Sequence, residues 1–183
     1  MTLPPAPRGD ERFVVISGCS GGGKSTLLEA LAGQGMAVVE EPGRRIIREE
    51  LVRDGQALPW TDGPAFARRA VDMALADRAA APAENWVFFD RGLIDAAAAL
   101  DHLTGTAELE TLSRAHRYHR RVFFTPPWPE IYVTDPERRH GLEAALGEYE
   151  RLVLAYPILG YDVVVLPKGS VGERVAFVLE RLD

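Results

Sequence analysis

The stretch that decides the fold is GCSGGGKST, residues 18–26, which directly follows the apolar run RFVVIS. It matches the pattern G-x-x-x-x-G-K-[ST] at Gly18, Gly23, Lys24 and Ser25, and the helix-forming segment TLLEALAG overlaps its end. Glycines allow the backbone to turn successive N–H groups inward, and the N-terminus of a helix adds a field that favours anions. A strand, a glycine-rich loop and a helix in this order therefore predict a phosphate-binding site.

The motif also predicts roles for individual side chains of the loop. Lys24 can reach the β- and γ-phosphates of a nucleotide, and the Ser25 hydroxyl can ligate Mg²⁺. Lys168 lies in the turn PKGS directly after the last apolar run, and α/β proteins bind ligands in the loops that follow their strands. The residues predicted to bind the nucleotide are Gly18, Cys19, Ser20, Gly21, Gly22, Gly23, Lys24, Ser25, Thr26 and Lys168.

Five short apolar runs alternate with stretches that have helical spacing. The runs lack polar alternation, which is typical of strands buried on both faces of a parallel sheet; they cover residues 12–17, 36–40, 86–90, 121–124 and 161–166. The helical stretches cover residues 24–33, 43–54, 64–81, 92–103, 107–118, 137–156 and 171–182. This alternation predicts a three-layer α/β/α fold with a five-stranded parallel sheet. We expect a disordered tail at 1–11, one nucleotide-binding domain at 12–183, and a helical lid at about 125–142.

The composition narrows the class of partner and the compartment. A formal net charge of −6 argues against non-specific binding to nucleic acid. No apolar stretch approaches the length of a membrane span, and the N-terminus lacks the apolar core of a signal peptide. The single cysteine, Cys19, excludes an intrachain disulfide and fits a reducing compartment. We therefore expect a cytoplasmic protein that binds neither nucleic acid nor a membrane.

Acidic residues end the second and third apolar runs. The segment VVEEPGRRIIREE, residues 38–50, brings Glu40 and Glu41 to the end of one strand, and Asp90 ends the next. Parallel strands present their carboxyl ends at one edge of a sheet, where such folds bind ligands. There, one carboxylate can support Mg²⁺ and another can take a proton from an attacking hydroxyl. We assign the metal to Asp90 together with Ser25, and the base to Glu41, although either carboxylate could take either role.

Arginines are concentrated in the helix that follows these glutamates. Glu49 and Arg53 are spaced as an i,i+4 ion pair, and Arg45 can share Glu49. Arg44 and Arg48 are instead like-charged i,i+4 neighbours without an acid one turn further on. A solvated helix face explains this arrangement as readily as a bound anion does. We predict that Arg44 and Arg48 bind an anionic part of a phosphoryl acceptor.

The order of these motifs resembles that of the phosphate-loop small-molecule kinases. GCSGGGKST is followed by strand-EEP, by strand-FFDRG, and by the arginine-bearing segment TDPERRH before the last strand. Deoxynucleoside kinases and ribosylnicotinamide kinase domains share this order. A closer resemblance is to a bacterial group of AAA-type or predicted ATPases that are related to them. The likeness covers residues 12–182 and is most specific in the phosphate loop, since the other motifs are short.

The resemblance implies roles for five residues outside the loop. In deoxynucleoside kinases a Glu-Pro pair after the second strand supplies the base, which corresponds to Glu41. Their acid–arginine pair after the third strand corresponds to Asp90 and Arg91, and their lid arginines correspond to Arg138 and Arg139. One of the two lid arginines would close over the transferring phosphoryl group.

Two other side chains near the expected acceptor are less constrained by the sequence. Asp95, one turn into the helix after Arg91, can face either the acceptor or solvent, and it is included among the candidate acceptor-binding residues. Deoxynucleoside kinases read the nucleobase with a Phe-Gln pair on the third helix, whereas this chain has Phe66 and Ala67 there. The resemblance therefore does not extend to nucleobase recognition.

Two functions are consistent with these observations. The first is an ATP-dependent phosphotransferase that uses Mg-ATP to phosphorylate a hydroxyl of an anionic small molecule. The alternative is a regulatory switch that hydrolyses ATP or GTP and has no phosphoryl acceptor. The Asn-Lys-x-Asp signature of the Ras-like GTPases is absent from the sequence, which favours ATP over GTP. We therefore expect ATP and Mg²⁺ as cofactors and take the kinase as the first hypothesis.

Overall fold

The structure is a computed structural model, which describes residues 6–83, 85–131 and 141–182. Its strands are β1 (Phe13–Gly18), β2 (Ala37–Val39), β3 (Val87–Asp90), β4 (Arg121–Thr125) and β5 (Asp162–Val165). Its helices are α1 (Lys24–Gly33), α2 (Pro42–Val52), α3 (Gly63–Ala80), α4 (Leu93–Thr104), α5 (Leu109–Ala115), α6 (Leu142–Ile158) and α7 (Val171–Leu179). Two 3₁₀ turns are Gly9–Arg12 and Pro129–Ile131. Every predicted strand and helix has a counterpart among these elements.

All five strands are parallel, in the order β2-β3-β1-β4-β5. In the centre, Ile16 of β1 is in register with Asp90 of β3 on one side and with Phe123 of β4 on the other. The predicted α/β fold with a five-stranded parallel sheet is therefore confirmed. This strand order places the loop after β1 directly beside the end of β3, so the glycine-rich loop and Asp90 share one edge of the sheet.

Alternate residues of the central strands fill two cores, one on each face of the sheet. Phe13 and Val15 belong to the core that includes residues of α2, α3, α4 and α6, and Val14 and Ile16 belong to the core formed with α1 and α7. The edge strands depart from the expectation of burial on both faces, because the side chain of Val165 on β5 is 49% exposed. An edge strand has a neighbouring strand on one side only, so the helices cover it less completely than the centre.

The N-terminal segment differs from the prediction of a disordered tail over residues 1–11. Residues 9–12 form a 3₁₀ turn, and the carboxylate of Asp10 lies 2.6 Å from Nη2 of Arg78 on α3. Nε of Arg12 also donates to the carbonyl of Pro82 at 3.2 Å. These contacts hold the turn against the end of α3, so ordered chain begins before residue 12. Residues 1–5 lie outside the described residues.

Half of the predicted lid at about 125–142, residues 132–140, lies outside the described residues. The lid, together with Arg138 and Arg139, therefore stays a prediction. None of the helices in the part of the chain that the structure describes is long and apolar enough to cross a membrane.

Candidate functional site

The loop after β1 makes a tight turn that requires its glycines. Gly18, Gly21 and Gly23 have φ values of 108°, 78° and 77°, in the region that glycine adopts without strain. A Cβ at Gly18 would also collide with the backbone of Thr125 on β4. The backbone N–H of Cys19 donates to the carbonyl of Thr125 at 2.9 Å. The loop is therefore bound to the end of β4. Because the two backbones lie so close together, a side chain cannot be accommodated at Gly18.

Lys24 begins α1 and folds back over the loop. Its Nζ donates to the carbonyl of Cys19 at 3.0 Å, and the side chain is buried. Burial lowers the pKa of Lys24, and the nearby charge of Arg91 lowers it further. The next two residues of the helix, Ser25 and Thr26, are exposed. The ammonium group is thus held inside the loop, whereas Ser25 and Thr26 are accessible from outside it.

A cavity of about 350 Å³ lies inside this loop, and we call it the phosphate cavity. It is lined by the loop, by the start of α1, by acids that follow β2 and β3, and by two further side chains. These lining residues are Ser20, Gly21, Gly23, Lys24, Ser25, Thr26, Glu41, Arg44, Asp90 and Ile131. The structure therefore brings the predicted phosphate loop, the predicted base and the predicted metal carboxylate to one space.

Asp90 ends β3 at the phosphate cavity and is 6% exposed. Burial raises the pKa of its carboxyl to about 6, and the negative charge of Glu41 adds to this effect. The Oδ1 atom of Asp90 is buried without a hydrogen-bond partner. An unpartnered buried carboxylate oxygen is unfavourable, and a bound cation would remove that cost. The hydroxyl-bearing Ser25 lines the same cavity, so both predicted metal ligands border one space.

Arg91 holds two carboxylates beside the loop. Its φ is 59°, and its N–H donates to the carbonyl of Ile16 at 3.0 Å. Each Nη atom donates to one carboxylate oxygen of Glu148 at 2.7 Å, and Nε lies 3.5 Å from Oε1 of Glu41. Burial by itself would lower the pKa of Arg91, but the charges of Glu148 and Glu41 raise it well above its usual value. The predicted catalytic arginine is therefore paired with two carboxylates of the protein itself.

Glu148 is a residue of the site that the sequence analysis missed. It lies on α6, 57 positions along the chain from Arg91. Burial pushes the pKa of Glu148 upward, but the Arg91 guanidinium outweighs burial and leaves the pKa below its usual value. Ala145, Leu152 and Tyr156 are the buried residues of α6, and Glu148 shares their helical spacing. That periodicity could have placed Glu148 on the inward face, but nothing local identifies its partner.

A second cavity, of about 280 Å³, lies between α2, α3, α4 and α6, and we call it the helical cavity. Its apolar wall is formed by Ile47, Pro59, Phe66, Ala67, Ala99, Leu103, Ala144 and Ala145, and its charged groups belong to Glu41, Arg44, Arg91, Glu148 and Arg151. The helical cavity shares Ser20, Glu41 and Arg44 with the phosphate cavity. Glu41 therefore lies where the helical cavity and the phosphate cavity meet.

Arg44 and Arg48 both have acidic partners, contrary to the pattern expected from the sequence. Nε of Arg44 lies 3.3 Å from Oε2 of Glu41, and Arg44 lines both cavities. Arg48 pairs with Glu40, its side chain is 45% exposed, and it lines neither cavity. The turn between β2 and α2 brings both glutamates alongside the helix, so the acids precede the arginines instead of following them by one turn. We therefore remove Arg48 from the candidate acceptor-binding residues.

The other ion pairs of α2 also differ from the prediction. Glu49 and Arg53 do not pair with each other, because Arg69 of the adjacent α3 pairs with Glu49 and Arg53 pairs with Glu50 of α2 instead. The pairs that form are Arg45–Asp77, Arg53–Glu50, Arg69–Glu49 and Arg69–Glu50. Contacts between helices thus override the i,i+4 spacing within one helix.

Asp95 uses its carboxylate inside the protein. It accepts hydrogen bonds from the Ser17 hydroxyl, from the Tyr156 hydroxyl at 2.6 Å and from the N–H of Gly92 at 3.1 Å. Burial raises the pKa of Asp95, although the charge of Arg91 opposes this shift. Because both carboxylate oxygens are taken by protein donors, Asp95 joins β1, α4 and α6 beneath the site. We therefore remove it from the candidate acceptor-binding residues.

Two cations from the C-terminal part of the chain differ in their relation to the loop. Lys168 follows β5, its Nζ lies 3.9 Å from a carboxylate oxygen of Glu130, and it lines neither cavity. Its contact with a nucleotide stays a prediction. Arg174 of α7, by contrast, is buried and donates to the carbonyls of Gly22 and Gly23. The sequence does not identify Arg174 as a neighbour of the loop, because the packing of α7 against α1 brings it there.

Several solved structures of kinases and related proteins have a similar fold. A deoxyadenosine kinase from M. mycoides with dCMP and a flexible dCDP bound has a TM-score of 0.58 at 15% identity, over 93% of this chain and 98% of that chain. The NadR protein in complex with NR has a TM-score of 0.62 at 18% identity, over 93% of this chain and 50% of that chain, so this chain spans about half of NadR. Shikimate kinase from Acinetobacter baumannii in complex with shikimate has a TM-score of 0.56 at 14% identity, over 92% and 90% of the two chains. At these identities the likeness shows the fold.

The sequence itself also has a family match. No curated protein sequence matches this chain, but a family model described as AAA domain matches residues 13–174. That range extends from the first residue of β1 to Arg174 and covers most of the chain. Together with the kinase-type fold, it confirms the resemblance based on the phosphate loop and the strand-end motifs. This chain therefore belongs to the AAA domain family, and its fold is similar to that of a deoxyadenosine kinase, NadR and shikimate kinase.

Proposed function

We propose that this protein is an ATP-dependent kinase that phosphorylates a hydroxyl group of an anionic small molecule. In this proposal the loop 18–26 binds the triphosphate, Glu41 is the general base, and Asp90 and Ser25 support Mg²⁺. The kinase-type fold favours a phosphotransferase in general. The two cavities of this chain favour a phosphate donor in one cavity and an acceptor in the other.

The observation that carries the proposal is the junction of the two cavities. Ser20, Glu41 and Arg44 line both of them, so a phosphate donor in one and a hydroxyl in the other would meet at Glu41. The helical cavity, at about 280 Å³, is close to the lower end of the range for small-molecule sites, about 300 Å³. A switch protein that only hydrolyses its nucleotide does not need this second space.

The contacts of Glu41 support its proposed role as the base that takes the proton of the acceptor hydroxyl. Its Oε1 lies 3.5 Å from Nε of Arg91 and its Oε2 lies 3.3 Å from Nε of Arg44, so the carboxylate is held from two sides. In the transfer step the acceptor oxygen attacks the γ-phosphorus and a new O–P bond forms. The bond to the bridging oxygen breaks, its electron pair leaves with ADP, and the hydroxyl proton passes to Glu41.

Asp90 and Ser25 fit a role as Mg²⁺ ligands, because Oδ1 of Asp90 is buried at the phosphate cavity without a partner. Mg²⁺ commonly uses one or two carboxylates together with phosphate oxygens and water. It therefore does not need a cluster of three ligating side chains, and the described residues contain none. When bound, the ion would neutralise charge on the phosphates and polarise the transferring group. Lys24 adds a fixed positive charge at the same cavity.

The helical cavity favours an acceptor with an apolar part and an anionic part. Ile47, Phe66 and Leu103 would contact the apolar part. Arg44 and Arg151 line the same cavity and would supply positive charge to the anionic part. Arg151 and Leu103 are exposed, so they mark the end of the cavity that opens to solvent.

We also propose that Arg138 or Arg139 closes over the transferring phosphoryl group. This part rests on the sequence resemblance, because both arginines lie outside the part of the chain that the structure describes. The choice of ATP over GTP likewise rests on the sequence.

The proposal can be tested by incubating the protein with Mg-ATP and fractionated metabolite pools. Mass spectrometry should show a metabolite that gains one phosphoryl group with the wild-type protein and not with Glu41→Gln. Arg48→Ala is the matched surface control and should form the same product. Hydrolysis of ATP at one rate with and without every pool, with no new phosphorylated product, would instead support the regulatory switch.

A further inference from the structure

Arg174 contacts the phosphate loop through a buried guanidinium group. It lies near the start of α7 and is 2% exposed. Its Nη2 donates to the carbonyl of Gly22 and its Nη1 donates to the carbonyl of Gly23, both at 3.1 Å. A Cβ at Gly23 would lie 2.7 Å from Nη1. The glycine at this position therefore leaves the space that the guanidinium occupies.

Arg174 helps to set the direction of two backbone N–H groups. It holds the carbonyl of Gly22, and it shares the carbonyl of Gly23 with the N–H of Leu27, which donates to that carbonyl at 3.4 Å. In a planar trans peptide the C=O and N–H bonds point in opposite directions. The carbonyl of Gly22 belongs to the same peptide as the N–H of Gly23, and the carbonyl of Gly23 belongs to that of Lys24. Holding both carbonyls toward Arg174 therefore turns both N–H groups toward the phosphate cavity, which Gly23 and Lys24 line. Neither N–H donates to another residue that the structure describes.

The charge of Arg174 has no acidic partner among the described residues. Besides the two carbonyls, the guanidinium carbon lies 5.7 Å from the ring centre of Trp128, and Nε is buried without a hydrogen-bond partner. Burial lowers the pKa of Arg174. A buried cation without a carboxylate is unfavourable by itself, but it becomes favourable beside a loop that binds a polyanion.

We propose that Arg174 is a positioning residue for nucleotide binding. It directs the N–H groups of Gly23 and Lys24 at the phosphates, and its charge strengthens the attraction of the loop for them. The inference rests on the proposed function only in that the loop binds a nucleotide, and it requires no phosphoryl acceptor. If Arg174 served only to join α7 to the loop, replacing it would lower the stability of the protein. Any loss of affinity would then be the same for every nucleotide, whatever its number of phosphates.

The test is isothermal titration of the full chain with Mg-ATP, Mg-ADP and AMP, together with thermal unfolding of each ligand-free protein. Arg174→Met removes the guanidinium and keeps an apolar stem. Arg174→Lys keeps a positive charge but cannot bind two carbonyls as a fork. Arg181→Met is the control, because Arg181 follows the same helix, donates to the carbonyl of Phe177 and has a side chain that is 39% exposed.

We expect Arg174→Met to weaken Mg-ATP binding by about tenfold or more, with a smaller loss for Mg-ADP and the smallest for AMP. Arg174→Lys should fall between Arg174→Met and the wild type, and Arg181→Met should match the wild type. A folded Arg174→Met protein with unchanged Mg-ATP affinity would overturn the inference, and so would equal losses for Mg-ATP and AMP.

If Arg174→Met does not fold, Arg174→Lys decides the question. A folded lysine variant with unchanged Mg-ATP affinity refutes the positioning role, and a loss that grows with the number of phosphates supports it. Unfolding of both variants would show a structural role and count against the inference. A wild-type protein that binds Mg-ATP and phosphorylates no metabolite would refute the proposed kinase and leave this inference intact. A wild-type protein without nucleotide affinity would refute both.

Discussion

Replacing Glu148 with alanine removes the carboxylate that accepts hydrogen bonds from both Nη atoms of Arg91, each at 2.7 Å. Breaking a buried ion pair by removing one partner costs about 3–5 kcal/mol. The side chain of Glu148 is 33% exposed, and Arg91 keeps contacts with Glu41 at 3.5 Å and with the carbonyl of Gly18 at 3.4 Å. Water and these acceptors should recover part of the loss. We therefore expect the free energy of unfolding to fall by about 2 kcal/mol, and the melting temperature by about 4–8 °C for a chain of this size.

The assay is urea and thermal unfolding of the wild type, Glu148→Ala, and the control Glu150→Ala, which removes an exposed carboxylate from the same helix. Although burial opposes it, Arg91 holds the pKa of Glu148 below its ordinary value. The stabilisation should therefore be fully present above the pKa of an unfolded glutamate, about 4.3. It should be lost as the pH falls through the lower folded-state pKa. A Glu148→Ala protein as stable as Glu150→Ala at pH 7 would refute the reasoning.

Three further predictions concern the cavities. Lys24→Ala should bind Mg-ATP much more weakly without unfolding, because its ammonium lies in the loop and not in either core; an unchanged affinity by isothermal titration would exclude the assigned phosphate site. Glu41→Gln should bind Mg-ATP normally but lose about two to four orders of magnitude in transfer rate, whereas Asp90→Asn should raise the Mg²⁺ concentration needed for activity; the reverse pattern would exchange the two roles. Arg44→Ala should raise the KM of the acceptor and Arg48→Ala should not, since only Arg44 lines the helical cavity; equal effects in steady-state kinetics would contradict the placement of Arg48.

The features that the sequence predicted depend on residues that lie close to one another along the chain. The phosphate loop depends on backbone torsions within a few residues, so glycines at Gly18, Gly21 and Gly23 determine it. The order of strands and helices follows from local apolar patterns, because a strand buried on both faces is a short continuous apolar run and a helix with one buried face repeats about every four residues. Glu41 and Asp90 were also predictable, since parallel strands that carry an acid at the end must present it at one edge of the sheet.

The features that the sequence did not predict depend on contacts between distant elements. Arg48 lost its predicted role because the β2–α2 turn supplies Glu40, and Asp95 lost its role because Ser17 and Tyr156 meet it in the core. Charge spacing on a single helix cannot reveal an ion partner that belongs to another helix.

By itself, then, the sequence determined the phosphate loop, the parallel sheet and the two acids at its edge, because torsional preference and hydrophobic period act over short distances along the chain. Only the tertiary structure decided that Glu148 binds Arg91, that Arg174 donates to two carbonyls of the loop, and that two cavities meet at Glu41. Hydrogen bonds and ion pairs form between atoms a few ångströms apart in space, whatever their separation in sequence. In this chain that separation reaches 57 residues for Glu148 and 152 residues for Arg174.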